Sequence, residues 1–460
     1  MAKSNNANLG KTPASLTVVS GENPFLKGLP KIPTVDEARS ILLSYGKPVP
    51  SSDGQLPAKN SELAARLLIP TDTHARILVD IMESVWASYE ARNPLNPEYR
   101  ARAINANAFV RERPRNPADP ESRPKQILSV PKKSQKSEHD LPRGYIVCAP
   151  AQCGRMKLAD AIQAYVDKGA KKESGATFEQ FLIKDGEYRS QYIRIRTLRV
   201  AWPLDGRLKS LLYNMFCAIN AALGPYAKLE WNTRYCASEL HIEAALCAHG
   251  VVINLGLLIV EKIDTHEATS ERAMKTWSAL GRFTRTTGIP VLCFATPGAL
   301  TGLARQSSAI GSLCPTGPRY IRPLEHGSND WKAVVNAIHA VCFPFVKAQR
   351  PPLWLYDVLW SMTFGYPGLA VCACRAVSED MRSKGFTQLE QNHFCEVAVQ
   401  ALSVYIPHLR AIVQMREGNN FTFSSMLRHG DWLTFEFIVK VLPSLEYSPL
   451  MPSPESLKAS

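Results

Sequence analysis

Polar and apolar positions divide the chain into two kinds of stretch. Near the N-terminus, apolar residues recur at helical spacing in VDEARSILLSYG (35–46) and again in PTDTHARILVDIMESVWASYEA (70–91). The second stretch opens on Thr and Asp, which can cap a helix. Further on, short unbroken apolar runs alternate with longer helical patterns. The runs Tyr145–Cys148 (YIVC), 251–260 (VVINLGLLIV) and 289–295 (IPVLCFA) predict buried strands. The stretch 191–200 (QYIRIRTLRV) alternates polar and apolar residues and predicts a half-buried strand carrying Arg194, Arg196 and Arg199. Helical patterns cover 156–166, 208–223, 237–248 with a stop at Gly250, and 267–287. Apolar strands separated by helices imply an α/β fold, a parallel sheet covered on both faces.

The same pattern sets the expected boundaries. Residues 1–60, rich in Pro, Ser, Asn and Gly, read as an N-terminal tail with local helix, and 61–110 as a small helical module. Residues 111–143 hold six prolines and many charges. Proline removes backbone donors and blocks helix, so this reads as a linker or extended arm. The α/β core spans 144–329. A helical subdomain follows over 330–412, broken at Pro351-Pro352 and at Gly365–Gly368. Residues 413–460 read as a C-terminal extension.

Charge and composition narrow the partners. The 460 residues include 54 Lys and Arg against 41 Asp and Glu, a net charge of +13. That suits a polyanion such as duplex DNA, and equally a basic protein with no nucleic-acid role. No apolar run approaches the ~20 residues of a membrane span. The first residues lack the apolar core of a secretory signal, so the expected location is cytoplasmic. The 11 cysteines are scattered with no C-x-x-C pair, and Cys372 and Cys374 are badly spaced for zinc on a helix. They read as small hydrophobes, and no structural metal is expected. The ten histidines are dispersed; His241, His249 and His266 show no ligand spacing with neighbouring cysteines.

The stretch GYIVCAPAQCGRMKLA (144–159) carries the candidate chemistry. Strand, small-residue loop and helix form the layout of a phosphate-binding loop, in which backbone amides and a helix N-terminus face an anion. Against G-x-x-x-x-G-K-[ST], Ala149 takes the first Gly, Gly154 keeps the second, Arg155 takes the Lys and Met156 the Ser/Thr.

Four segments in order give a family resemblance: APAQCGRMK at the loop, WPLDGRLKSLLYNMFCAINAALG (202–224), HGVVINLGLLIVEKID (249–264) and TGIPVLCFATPGAL (287–300), followed by the lid-like FGYPGLAVCACRAVSEDM (364–381). Together they resemble the TnsC/TniB regulators of DNA transposition, AAA+ ATPases of the P-loop NTPase fold. The resemblance covers about 144–400. It implies an α/β ATPase core with a C-terminal helical lid and a partly extended N-terminal region. It also implies homo-oligomers on duplex DNA that link a TniQ-like target selector to an integrase-type transposase.

The resemblance also assigns the sites. Nucleotide contacts would come from Ala149, Pro150, Ala151, Gln152, Cys153, Gly154, Arg155 and Met156. Glu261 and Lys262 would end the Walker B strand, and Thr296 would take the sensor 1 position. Arg155 keeps a charge, but its planar fork does not replace an ammonium point charge. Met156 offers Mg²⁺ no oxygen. Glu261 is the one candidate metal ligand, through water, and Lys262 stands where the water-activating carboxylate belongs. Asp264 would serve as the acid only on a longer strand. Arg319 and Arg322 are intersubunit candidates, and Arg194, Arg196, Arg199, Arg207 and Lys209 are candidates for duplex DNA. ATP and Mg²⁺ binding would be weakened and hydrolysis lost. The alternatives are an active DNA-dependent ATPase with compensated motifs and a non-catalytic scaffold of a mobile element or defence system.

Overall fold

A computed structural model describes residues 17–46, 67–111, 122–129, 144–170, 176–185, 188–226, 228–418 and 422–441. The rest of the expected tail, linker and C-terminal extension lies outside them. The strands among the described residues are β1 (Thr17–Val19), β2 (Tyr145–Cys148), β3 (Glu179–Asp185), β4 (Tyr188–Arg194), β5 (Thr197–Ala201), β6 (Leu257–Ile263), β7 (Val291–Ala295) and β8 (Arg319–Tyr320). Five of them form a parallel sheet in the order β5-β6-β7-β2-β8. Counted within that sheet, the order is 5-1-4-3-2, a P-loop NTPase core of the AAA+ kind. All five residues of β7 are buried, as are Ile146, Val147 and Cys148 of β2 and Leu257–Val260 of β6. Unbroken apolar runs give such strands because helices cover both faces. Each fully buried Leu, Ile or Val contributes roughly 1.5–3 kcal/mol. An Asp at Ile259 would bury a charge with no partner.

The helix Asp72–Ala91 packs onto this same core. Ser88 donates to the Gly288 carbonyl at 2.7 Å and Tyr89 donates to the Asn254 carbonyl at 3.1 Å. Within the expected linker, Ser122–Leu128 forms a short helix beside Glu239–Val252.

Two expected elements change. The stretch 191–200 is not one strand. β4 belongs to an antiparallel hairpin with β3 in a small second sheet, ordered β1-β3-β4, whereas β5 edges the central sheet. At the crossing, the Ile195 amide donates to Ile253 at 3.0 Å and its carbonyl accepts from Gly256 at 3.0 Å. The second change is at Gly250, which does not stop its helix. The helix runs on to Val252 because Gly250 serves close packing: a Cβ there would meet the Phe283 ring at 2.9 Å. The chain then turns at Asn254, left-handed at φ 45°, and the strand begins only at Leu257.

The C-terminal part is helical. Asn329–Cys342 is capped by Ser328, which accepts from the Trp331 amide at 3.1 Å. Leu353–Thr363 begins directly after Pro352 and ends at Phe364 and Gly365, both left-handed. Pro367–Lys384, Gln391–Leu402 and Ile406–Arg416 follow. Beyond 412 the chain does not trail away. It forms the helices Phe423–Arg428 and Phe435–Val441, and the turn between them folds back onto the edge of the central sheet.

Candidate nucleotide site

The loop after β2 is built as an anion cradle. Gln152 and Gly154 are left-handed at φ 62° and 83°, the kind of backbone turn found in anion-binding loops. Glycine adopts that conformation freely, and Gly154 caps the helix Arg155–Val166. The first amides of that helix have no carbonyl within it to bond. Cys153 is buried beneath the loop, which pushes its thiol up to about 12. It is an inert packing group.

A cleft of about 980 Å³ lies between this loop and the helical subdomain, lined by Ala151–Lys157 on one side and by Pro367, Gly368 and Arg375 on the other. The subdomain touches the loop directly: the Gly368 amide donates to the Gln152 carbonyl at 2.8 Å. A Cβ on Gly368 would collide with the Gln152 side chain, so only glycine permits this approach. Arg155 projects from the head of its helix. Its Nη2 meets Asp264 Oδ1 at 3.1 Å, and its Nη1 is buried with no hydrogen-bond partner. Met156 follows with a thioether in place of a hydroxyl, and Lys157 pairs with Asp160 at 3.6 Å.

The end of β6 corrects the expected acid. Val260 pairs with Cys293, but Ile263 pairs with Ala295, so β6 carries one extra residue. The bulge sits at Lys262, which is left-handed at φ 57° and exposed. Ile263, Ala295 and Cys148 are therefore level across the sheet, and Asp264, Thr296 and Ala149 emerge together at its carboxyl edge. Glu261 lies short of that edge, opposite Ala201, and is held by Arg199, which also grips Asp160. The carboxylate beside the loop is Asp264, and Thr265 follows it where Lys262 was expected. Sequence reasoning placed Asp264 only as an alternative because a bulge leaves no apolar-pattern signature. Thr296 is fully buried, its Oγ1 3.4 Å from both Thr265 Oγ1 and the Ile263 carbonyl.

No protein-family model matches this chain, and no curated relative does. Among solved structures it is similar to the ORC2 protein of Aeropyrum pernix in ADPNP–ADP complexes, at 14% identity, 78% of this chain, 95% of that chain and TM-score 0.38. It is also similar to a Walker-type ATPase of Pyrococcus abyssi (10% identity, 66% and 83% coverage, TM-score 0.37). A third is the ORC1 protein of Aeropyrum pernix in complex with DNA (10% identity, 77% and 86% coverage, TM-score 0.38). The fold assignment stands on the strand order and on the strand–loop–helix geometry at β2.

The remaining candidates separate by exposure. Arg194 and Arg196 are 0% and 2% exposed and share Glu179, with Nη2–carboxylate distances of 2.6 Å for each. Arg194 also donates to the carbonyls of Phe25 from Nη1 and Lys27 from Nη2, and Arg196 Nη1 to those of Val166 and Lys168. As DNA contacts they are corrected: a guanidinium sealed this way reaches no phosphate. Arg199 is occupied by Asp160 and Glu261. Arg207 and Lys209 alone of that group stand exposed, at the start of the helix Leu208–Leu223. Arg319 pairs with Asp80 at 2.9 Å, and Arg322 with Glu436 at 2.5 Å. Both retain exposed surface. Among the described residues no cluster of three His, Cys, Asp or Glu could hold a metal.

Proposed function

We propose that this chain is an AAA+-type nucleotide-binding adaptor with little or no turnover, acting on duplex DNA in transposition between a target selector and a transposase. The observation that carries the nucleotide reading is Arg155. A buried guanidinium nitrogen without a partner costs about 1–3 kcal/mol, and a phosphate oxygen in the cleft would supply that partner. The first amides of the helix Arg155–Val166 add neutral donors. The residues present do not fit Mg²⁺ in the usual way, because position 156 has no oxygen and Glu261 is consumed by Arg199.

Phosphoryl transfer depends on charge neutralisation and a positioned water, and each missing part commonly costs orders of magnitude. The reading therefore predicts binding without hydrolysis. Asp264 beside Arg155 favours the second reading, a compensated ATPase, and turnover separates the two. Calorimetric titration with ADP should show binding that Arg155→Ala weakens about ten-fold or more. Steady release of phosphate from ATP at AAA+ rates, with or without DNA, would replace the first reading by the second. The exposed pair Arg207 and Lys209 supports the DNA partner, through phosphate contacts that position without reading sequence.

A further inference from the structure

The turn His429–Leu433 lies across the carboxyl edge of the sheet, where the phosphate loop, the acid strand and the Thr296 strand converge. Four sets of contacts hold it there. The Ala151 amide of the loop donates to the Asp431 carbonyl at 2.6 Å. The Thr265 amide and hydroxyl donate to Asp431 Oδ1 at 2.7 and 2.6 Å. The Gly298 amide, two residues past Thr296, donates to the Gly430 carbonyl at 2.9 Å. From the helical subdomain, the Tyr366 hydroxyl donates to the Trp432 carbonyl, and Trp432 stacks on His408 with ring centres 4.7 Å apart.

The packing leaves no slack. A Cβ on Gly430 would lie 2.9 Å from Thr265 Oγ1 and 3.2 Å from Gly298 Cα. Beneath the turn, Thr265 is 3% and Thr296 0% exposed. The cleft lining, by contrast, includes Arg155 and the loop.

In a P-loop site the phosphate chain starts from the loop amides and cation, and its terminal phosphate faces the acid strand and sensor. Here the groups at that far end already have partners: Thr265 holds the Asp431 carboxylate, and the Ala151 and Gly298 amides hold main-chain carbonyls of the same turn. We propose that Asp431 is an internal stand-in for the terminal phosphate, so that the cleft takes a nucleoside diphosphate and rejects the triphosphate. The proposal rests on the cleft being a nucleotide site and names the ligand class. A diphosphate uses Arg155 and the helix amides and leaves the turn in place. A third phosphate must displace Asp431 or lie against its like charge, with no hydroxyl at position 156 to bring a metal between them.

The test uses the full chain with ADP and a non-hydrolysable ATP analogue, titrated against the wild type, Asp431→Asn and Asp431→Ala. Asn keeps an oxygen for Thr265 and removes the charge. Ala removes both and keeps the main-chain bonds. The wild type should bind the diphosphate about ten-fold or more tightly than the triphosphate, and both variants should narrow that ratio to about three-fold or less by gaining triphosphate affinity. Equal wild-type affinities, or a ratio untouched in both variants, overturn the role of Asp431 and leave the nucleotide site standing. If the wild type binds neither compound, the site reading fails and takes this inference with it.

Discussion

Arg196 and Arg155 carry the same side chain under opposite conditions. Arg196 is 2% exposed, yet each of its guanidinium nitrogens has an oxygen: two bonds to Glu179 and two to the carbonyls of Val166 and Lys168. Arg155 has one carboxylate, Asp264, and one buried nitrogen with nothing to bond. The first arrangement closes the joint between the small sheet and the central one. It has no donor left for a ligand. The second leaves a buried donor unpaired on a side chain that lines the cleft. An unpaired nitrogen alone does not make a binding arginine, since the buried Arg92 has one too; Arg155 differs in that it also lines the cleft.

The largest expected effect breaks the satisfied side. Arg196→Ala would leave Glu179 with a single partner and free two carbonyls, so unfolding free energy should fall by about 3–5 kcal/mol. The check is a urea melt with unchanged slope. A loss under about 1 kcal/mol would mean that the knot is incidental.

Next in size is acid. His74, which lines the cleft, is buried, and burial pushes its pKa down to about 4. Its Nδ1 accepts from the Thr71 amide at 3.2 Å, a bond only the neutral ring can accept. Burial also lowers His249, whose Nδ1 donates to the Ala245 carbonyl at 2.7 Å. A depressed folded pKa means that the unfolded chain takes the proton first. The stability from His74 is therefore complete above about pH 6.5 and is lost as pH falls toward 4, by about 3 kcal/mol in total. The urea midpoint should drop between pH 7 and 4.5, and His74→Gln should flatten part of that drop. A flat profile in the wild type would show His74 reached by water.

The smallest effect on stability concerns the exposed cations, which belong to neither class. Arg207→Ala with Lys209→Ala should change stability by less than about 0.5 kcal/mol. It should lower the slope of log affinity for duplex DNA against log salt by up to about 2. An unchanged slope would remove that surface from the DNA contact.

Much of the core was legible because its signals are local. YIVC, VLCFA and LLIV are strands wherever both faces are covered, and the small residues before Arg155 announce a loop between strand and helix. The alternation in QYIRIRT misled, because arginines facing Glu179 and arginines facing water give the same pattern. Gly250 misled for a related reason. Glycine marks both a helix end and a close approach, and the Phe283 ring that decides between them is distant in sequence. The turn HGDWL showed nothing, since its role depends on Thr265, Ala151 and Gly298, all more than a hundred residues away.

The amino-acid order alone determined the layered α/β core, the strand–loop–helix at 144–159, and the arginine and methionine that stand where a phosphate loop carries lysine and a hydroxyl. Those follow from periodicity and from residue types at fixed local spacing. Tertiary structure alone decided which acid stands beside Arg155, which arginines are spent on carbonyls, and what lies across the sheet edge. Strand register, burial and donor satisfaction are set by partners that the chain brings together only on folding.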